Sequence, residues 1–448
     1  MEIKDKKISI LGAVRSGLSA AKLAKIKGAI PFVSDINDSP EIRKNVEILN
    51  ELKINFELGG HSEKIYDCDF IITSPGVPSD SEVLVKAKEN DIKIISEIEF
   101  AYWFCEGKII AITGTNGKTT TTSLCAHVLN CTDITAYAAG NIGIPFSEIV
   151  TQVKKDEYVV LEVSSFQLDF IDKFAPDYAV MLNITPDHLD RYENRFDLYI
   201  KSKMRIIKNQ NEKHNFIYNG DDENIPIGYV SKKVNLFAFS LDKSISNGCY
   251  LDDDWIVFAN DGFEEDVCTI EDLSLKGEHN LMNSMAVIST AMLIGIDKEK
   301  LVEALGSFKG VEHRLEFVRE INGIKFINDS KATNVDSVWY ALRSFDEPIY
   351  LILGGKDKGN NYNDIKEEVK KRVKKIYAIG SSAQKVYEFF KNIKPVEIVD
   401  SLAAAVEHGL ADAAVGDIVL LSPACASFDM FKNYEDRGTQ FKSIVNNR

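Results

Sequence analysis

The sequence predicts an α/β protein of three domains, each built on a mainly parallel sheet with helices on both faces. Two observations lead there. A chain of 448 residues holds about three domains at a soft prior of ~150 residues each. The order apolar strand, turn, helix starts afresh three times, and strands alternating with helices indicate parallel sheets. No repeat of about 20–50 residues and no low-complexity linker interrupts the pattern.

The first start is Lys7-Ile-Ser-Ile-Leu-Gly-Ala13, an apolar run entering Gly12 and Gly17, followed by a helical pattern from Leu18 to Lys27. A second strand, Ile30 to Asp35, ends in an acid, and a third, Asp69 to Ser74, runs into the turn Pro75-Gly76. The pattern resets near Cys105-Glu-Gly-Lys108. There Ile109 to Thr113 feeds Gly114-Thr-Asn-Gly-Lys-Thr119, and a helix over Thr120–Leu129 is expected. Buried strands follow at Tyr158–Val163 and Tyr178–Asn183, then a hairpin-like region from about Phe216 to Ile270 and a helix over Asn280–Ile294. The third start follows Phe308-Lys-Gly310. Arg314–Glu320 and Ile324–Asn328 flank Asn322-Gly323, a strong hairpin signal, and strands at Ile349–Leu353, Val373–Ile379 and Asp417–Ser422 alternate with helices. Domains at 1–106, 107–310 and 311–448 are expected.

Hydrophobic and charged contents of 45% and 27% are those of an ordinary globular chain. The 53 basic and 68 acidic residues give a formal charge of −15, which argues against nucleic-acid binding through a broad basic surface. It leaves room for a small anion held by a few placed cations. Seven cysteines without a C-x-x-C pair read as reduced thiols of a cytoplasmic protein. The opening MEIKDKKISILGA is no signal peptide. No apolar run approaches the ~20 residues that cross a bilayer, so no membrane partner is expected.

The loop at 114–119 carries the second half of the phosphate-loop pattern G-x-x-x-x-G-K-[ST], with Ile112 where the first glycine belongs. Its place between a strand and a helix lets backbone N–H groups surround phosphates. Lys118 adds a cation and Thr119 a Mg²⁺ ligand. Gly12-x-x-x-x-Gly17 is a weaker signal. It is a dinucleotide fingerprint without its middle glycine, and a tight strand–helix turn accounts for it equally well. Asp35 suits a ribose or base hydroxyl. Glu162, closing a strand, suits Mg²⁺, which takes oxygen ligands and shares them with phosphates. His188, in Asn183-Ile-Thr-Pro-Asp-His188, can take a proton near neutral pH or face Mg²⁺-associated groups, or simply be a hydrogen-bonded loop histidine. Lys203 lies in a helix beginning near Arg195, where spacing alone makes it a solvated lysine.

In the third domain, Asn328-Asp-Ser-Lys-Ala-Thr-Asn334, Gly354-Gly-Lys-Asp-Lys-Gly359 and Ser422-Pro-Ala-Cys-Ala-Ser-Phe428 each follow an apolar strand. Open α/β sheets place ligands at such strand ends. With His313-Arg314 they offer Arg314, Lys331, Lys358 and Ser427 as donors for an anionic ligand.

Taken together these residues resemble the Mur ligase family, the ATP-dependent amino-acid ligases of peptidoglycan synthesis, whose phosphate loop has the same short form. The likeness runs from Ile8 to Arg437. Leu161-Glu-Val-Ser-Ser-Phe-Gln-Leu168, His188-Leu-Asp-Arg-Tyr192, Asn328 to Asn334 and Leu421 to Asp429 point to the branch that joins D-glutamate to UDP-N-acetylmuramoyl-L-alanine. The resemblance implies a Rossmann-like N-terminal domain, a central mononucleotide-binding phosphate-loop domain and a Rossmann-like C-terminal domain. It implies that Ser16, Asp35, Ser74, Gly76 and Asn141 bind the UDP-substrate. ATP would meet Gly114, Thr115, Asn116, Gly117, Lys118, Thr119, Thr120, Asn280, Asn283, Arg314 and Asp329. Mg²⁺ would meet Thr119, Glu162, His188 and an N-carboxylated Lys203, with Lys118, His188 and Lys203 the catalytic set. D-glutamate would meet Lys331, Thr333, Lys358, Ser427, Phe428 and Tyr434. A cytoplasmic monomer working through an acyl phosphate is expected. After Asp35 stand Ile36-Asn37, where better-known relatives carry a polar and a basic residue, so the resemblance implies the pocket but leaves the contacts at its uracil end open.

A folylpolyglutamate synthase is opposed by the first domain and the Ser-Pro-Ala-Cys-Ala-Ser stretch. A phosphate-loop ATPase or kinase would act without an added amino acid. A UDP-sugar sensor is opposed by the intact Lys118, Glu162 and His188.

Overall fold

The computed structural model describes residues 2–230, 233–357 and 359–448. They form three sheets in two compact units. One unit is Met1–Leu273 with Met282–Ser307, and the other is Ser274–Leu281 with Phe308–Arg448.

The first sheet holds β1 (Lys7–Leu11), β2 (Ile30–Asp35), β3 (Asn55–Leu58), β4 (Phe70–Thr73) and β5 (Lys93–Ser96), all parallel, in the order β3-β2-β1-β4-β5. Chain order reverses at β1, so the ends of β1, β2 and β4 open onto one crevice. Gly12 and Gly17 make the first turn possible. Gly12 has φ +98°, and a Cβ on Gly17 would stand 1.8 Å from the Gly12 carbonyl oxygen. The helix Arg15–Ile26 is thereby drawn tight under the strand end. Gly17→Ala is expected to push that helix away and cost on the order of 3 kcal/mol. An unchanged guanidinium midpoint would contradict this.

The second sheet contains β6 (Lys108–Thr113), β7 (Ala136–Gly140), β8 (Tyr158–Glu162), β9 (Tyr178–Met181), β10 (Asn215–Asn219), β11 (Asn235–Ser240), β12 (Gly248–Asp252), β13 (Trp255–Asn260) and β14 (Phe263–Thr269). Its order is β14-β13-β12-β11-β10-β9-β6-β8-β7. The region from 216 to 270 corrects the hairpin expectation. β10, β11 and β12 pair parallel, and only β12–β14 form an antiparallel meander. Turn-rich spacing between short strands does not distinguish a crossover from a hairpin.

First and second sheets share one apolar core that runs from Ile3 to Val234. The helix Glu97–Tyr102 reinforces it with two buried carboxylates. Glu99 accepts the backbone N–H groups of Asp172, Lys173 and Phe174 and the Trp103 indole N–H. Glu97 accepts the Ser147 N–H at 2.6 Å. An ionised acceptor aimed at a run of amides is a strong fastening because one carboxylate satisfies several N–H groups at once.

The third sheet orders β15 (Glu316–Ile321), β16 (Ile324–Asn328), β17 (Ile349–Leu353), β18 (Val373–Ala378), β19 (Val396–Ile398) and β20 (Ile418–Leu421) as β15-β16-β20-β17-β18-β19. β15 and β16 form the hairpin expected at Asn322-Gly323, and the remaining pairs are parallel. Separate apolar clusters cover its two faces. Four cysteines are buried as small apolar side chains.

Candidate active site

A cavity of about 710 Å³ lies beyond the ends of β1, β2 and β4. Ser16, Asp35, Ser74, Gly76 and Asn141 all line it, so the structure brings together five residues spread over 126 positions of sequence (141 − 15). Asp35 is buried and fastened, accepting the Ala13 N–H and the Asn37 N–H, each at 2.8 Å. Ile36, 66% exposed, stands on the rim with Asn37. His61, Tyr66 and Lys86 also line the wall and were not singled out from the sequence. Burial lowers the His61 imidazole below its ordinary range.

The phosphate loop leaves β6 with Gly114 at φ +158° and enters the helix Lys118–Cys131 through Gly117 at φ +84°. A Cβ on Gly117 would meet the Asn283 side-chain oxygen at 2.4 Å, so only glycine lets Asn283 approach. Asn183, beyond β9, pins the loop by accepting the Asn116 N–H at 2.8 Å, while its carbonyl accepts the Thr115 N–H at 2.9 Å. Lys118 Nζ donates to the carbonyls of Gly114 and Thr115 at 2.8 and 2.7 Å. Lys203 Nζ donates to the same Gly114 carbonyl at 2.7 Å. Thr120 keeps a buried hydroxyl at the start of the helix.

Lys203 is therefore no solvated lysine. It is 1% exposed, on the helix Phe196–Met204, and sits over the Tyr199 ring at 4.7 Å. Burial first, and the Lys118 cation second, hold its ammonium well below the usual lysine range. Tyr199 was missed in the sequence, although its i, i+4 spacing from Lys203 places the two on one helix face.

Glu162 ends β8 and accepts from Thr119 Oγ1 at 2.7 Å and from Asn141 Nδ2 at 2.9 Å. A hydroxyl and a carboxylate in contact are hard oxygen donors. Such a pair fits Mg²⁺, which fills its remaining positions with water and phosphate oxygens. Among the described residues no three His, Cys, Asp or Glu side chains form an all-protein metal cage. His188 is 45% exposed by side chain, in the left-handed region at φ +52°, with Nε2 3.7 Å from Asp187.

In the other unit, the loops after β16, β17 and β20 adjoin because those three strands are neighbours. Gly354 and Gly355 allow this. A Cβ on either would stand 2.2 Å from the Ile379 carbonyl or 2.5 Å from the Ala426 carbonyl. Lys331 lies over the Tyr434 ring at 5.5 Å, Ser427 is buried, and Phe428 is 66% exposed. Thr333 follows in the same loop as Lys331, half-buried. Lys358 lies outside the described residues. Arg437, missed in the sequence, is buried and donates to the carbonyls of Cys425 and Ser330 and to the Ser330 hydroxyl. Desolvation lowers it to about 10. It joins the loops after β16 and β20, a role that no local pattern announces.

Asn280 is buried and donates to the Lys276 carbonyl at 2.9 Å. Asp329 accepts from Ser422 Oγ at 2.8 Å and from the Leu315 N–H at 3.3 Å. Burial pushes its carboxyl up to about 7 against the pull of Arg314, while burial and Arg314 push His279 down to about 4. The two have opposite linkage signs. Folded Asp329 holds a proton that the unfolded chain releases, so its contribution falls as pH rises from about 4 to about 7. Folded His279 lacks a proton that the unfolded chain binds, so its contribution rises between about 4 and 6.5. Asp329→Asn should remove the first slope and leave stability rising over that window. Denaturant titrations of the full chain at pH 4.5 and 6.5 check it, and a variant no more stable at pH 6.5 contradicts it.

Models of three protein families match the chain in order. They are the MurD N-terminal domain over residues 7–83, the Mur ligase middle domain over 112–291 and the Mur ligase glutamate ligase domain over 313–425. The UDP-N-acetylmuramoylalanine–D-glutamate ligase of Christiangramia forsetii is 45% identical over 446 residues, covering 99% of each chain. The chain belongs to the Mur ligase family. A relative of the same name from Chloroherpeton thalassium is 43% identical, over 100% of this chain and 99% of its own. Among solved structures, the UDP-N-acetylmuramate-alanine ligase MurC of Thermotoga maritima superposes with a TM-score of 0.62 at 21% identity, covering 99% of both chains. That likeness confirms the three-domain α/β fold of this Mur ligase.

Proposed function

We propose that this protein is the ATP-dependent ligase that joins D-glutamate to UDP-N-acetylmuramoyl-L-alanine in cytoplasmic peptidoglycan precursor synthesis. The observation that carries the reading is its likeness, over the whole length, to relatives named for that reaction. The likeness includes the first domain, whose cavity is lined by all five residues expected to hold the UDP-substrate. Domain boundaries near 106 and 310 go with this reading.

The γ-phosphoryl group of ATP passes to the carboxylate of the alanine, giving an acyl phosphate. Backbone N–H groups of residues 114–120 and the Lys118 ammonium hold the phosphates and offset their charge. Thr119 and Glu162, with His188 as a further candidate, would hold a Mg²⁺ ion, which when bound would supply further charge neutralisation. The amine of D-glutamate, held by Lys331, Thr333, Lys358, Ser427, Phe428 and Tyr434 and relieved of a proton by His188, attacks the acyl carbon. The tetrahedral adduct expels phosphate and leaves the amide. Asn280 and Asn283 take the adenine, with Arg314 and Asp329 toward the phosphates and ribose.

Lys203 acts as a carbamate. Its depressed ammonium makes neutral amine available. The amine lone pair adds to the carbon of CO₂ and one proton leaves to water. A cation becomes an anion that favours Lys118 and Mg²⁺. The protein works as a monomer without nucleic acid or membrane; no helix among the described residues is long and apolar enough to cross one.

Phosphate release from ATP with UDP-N-acetylmuramoyl-L-alanine tests the reading, comparing D-glutamate, L-glutamate, meso-diaminopimelate and no amino acid. Release that requires D-glutamate, with an amide product of matching mass, is expected. Release without any amino acid would make this an ATPase. Preference for another amino acid would overturn the assignment of the second unit's pocket.

A further inference from the structure

Arg191 belongs to neither the phosphate loop nor the metal donors, yet it touches both halves of the first unit. Its Nη2 donates to the Val77 carbonyl at 3.0 Å, and its guanidinium lies over the Phe166 ring at 4.3 Å. Val77 closes the turn Ser74-Pro-Gly-Val77, its N–H donating to the Ser74 carbonyl at 3.1 Å, and this turn forms one wall of the 710 Å³ cavity. Phe166 is a hub on the other side. His188 packs edge-on against it at 5.2 Å, and Tyr192 stacks on it at 6.0 Å with the rings 11° apart. Tyr192 in turn packs edge-on against Tyr199, the ring beneath Lys203.

The short helix Leu189–Tyr192 makes this arrangement stiff. The Arg191 N–H donates to the His188 carbonyl at 3.0 Å, and Tyr192 donates to Asp169 at 3.0 Å and shares a 3.2 Å hydrogen bond with Ser202. One guanidinium thus spans 114 residues of sequence and fastens a wall of the cavity to the aromatic ring that supports His188. Arginine suits this because its plane stacks on an aromatic face while an edge N–H still reaches a carbonyl, which an ammonium cannot do at both ends.

We infer that Arg191 is a positioning residue that couples the UDP-substrate cavity to His188, through the Val77 carbonyl on one side and the Phe166 ring on the other. The inference rests on the proposed reading of that cavity. With the turn at 74–77 forming the cavity wall, Arg191 holds Phe166, and with it the His188 ring, in one orientation against that wall. Without it, the cavity wall and the histidine settle independently.

The test is steady-state kinetics of Arg191→Gln and Arg191→Lys in the full chain, with calorimetric binding of UDP-N-acetylmuramoyl-L-alanine to the unmodified protein as control. Arg191→Gln is expected to raise KM for the UDP-substrate and lower kcat, each roughly tenfold, with KM for ATP unchanged. Arg191→Lys should recover part of the loss. In a Phe166→Leu background, Arg191→Gln should lower kcat little further, because the same ring carries both effects. A purely structural role would lower the melting temperature and the active fraction while leaving the KM values alone. That result, or full additivity with Phe166→Leu, would overturn the coupling. No binding by the unmodified protein would instead overturn the reading of the cavity.

Discussion

Lys118→Ala should lower kcat for D-glutamate-dependent phosphate release by about 10³-fold or more, since placed charge is the main means of phosphoryl transfer. The ammonium is already in place, held by the Gly114 and Thr115 carbonyls at 2.8 and 2.7 Å. Lys118→Arg is expected to fail nearly as badly, because a planar fork does not fit two carbonyls of one tight turn. The fold should survive both changes, as helix Lys118–Cys131 is anchored by buried threonines and Leu124, Val128 and Leu129. A Lys118→Ala enzyme within threefold of the parent kcat, with unaltered circular dichroism, would remove the phosphate-loop lysine from the mechanism.

Lys203→Ala should cost a similar factor, about 10³-fold, and acetate or propionate should restore activity at least tenfold where chloride at equal ionic strength does not. A small carboxylate would occupy the space and the charge of the lost carbamate. The surroundings of Lys203 would favour such a modification. The lysine is buried, its ammonium is opposed by burial and by Lys118, and its Nζ donates to the Gly114 carbonyl. A carbamate beside Lys118 exchanges like charges for opposite ones. The two lysines should therefore behave as a unit, with Lys118→Ala easing the protonation of Lys203 and the double variant falling well short of the product of the single losses. Carbon-13 NMR of the protein under labelled CO₂ provides an independent check. Absence of a carbamate signal together with no selective rescue would return Lys203 to a structural lysine.

Much of the architecture could be read locally. β17 carries the same bounds in sequence and structure, because an uninterrupted apolar run between Pro348 and Gly354 has few alternatives. Short strands with no long apolar run are not legible locally. Lys93–Ser96, Ala136–Gly140 and Val396–Ile398 become strands because a neighbour supplies the ladder, not because four or five residues demand it. The meander at 248–269 was confused with the parallel strands before it for a related reason. Alternation in one strand does not reveal which edge its partner occupies.

The sequence by itself determined the tight turn at 114–117, since backbone at positive φ there requires glycine at 114 and 117. It also determined that three loops of the last domain follow strand ends. Only the tertiary structure decided which of these meet. The order β16-β20-β17 makes neighbours of loops about 90 residues apart, and the reversal at β1 gathers Ser16, Asp35 and Ser74 around one cavity. Tertiary packing also turned Lys203 from a surface charge into a buried amine, because a helix face becomes inside or outside only through what it packs against. The contacts made by Arg191 and Arg437 are not legible in the sequence for the same reason. Their partners are a ring and carbonyls brought close by packing, and a carbonyl is present at every position of any sequence.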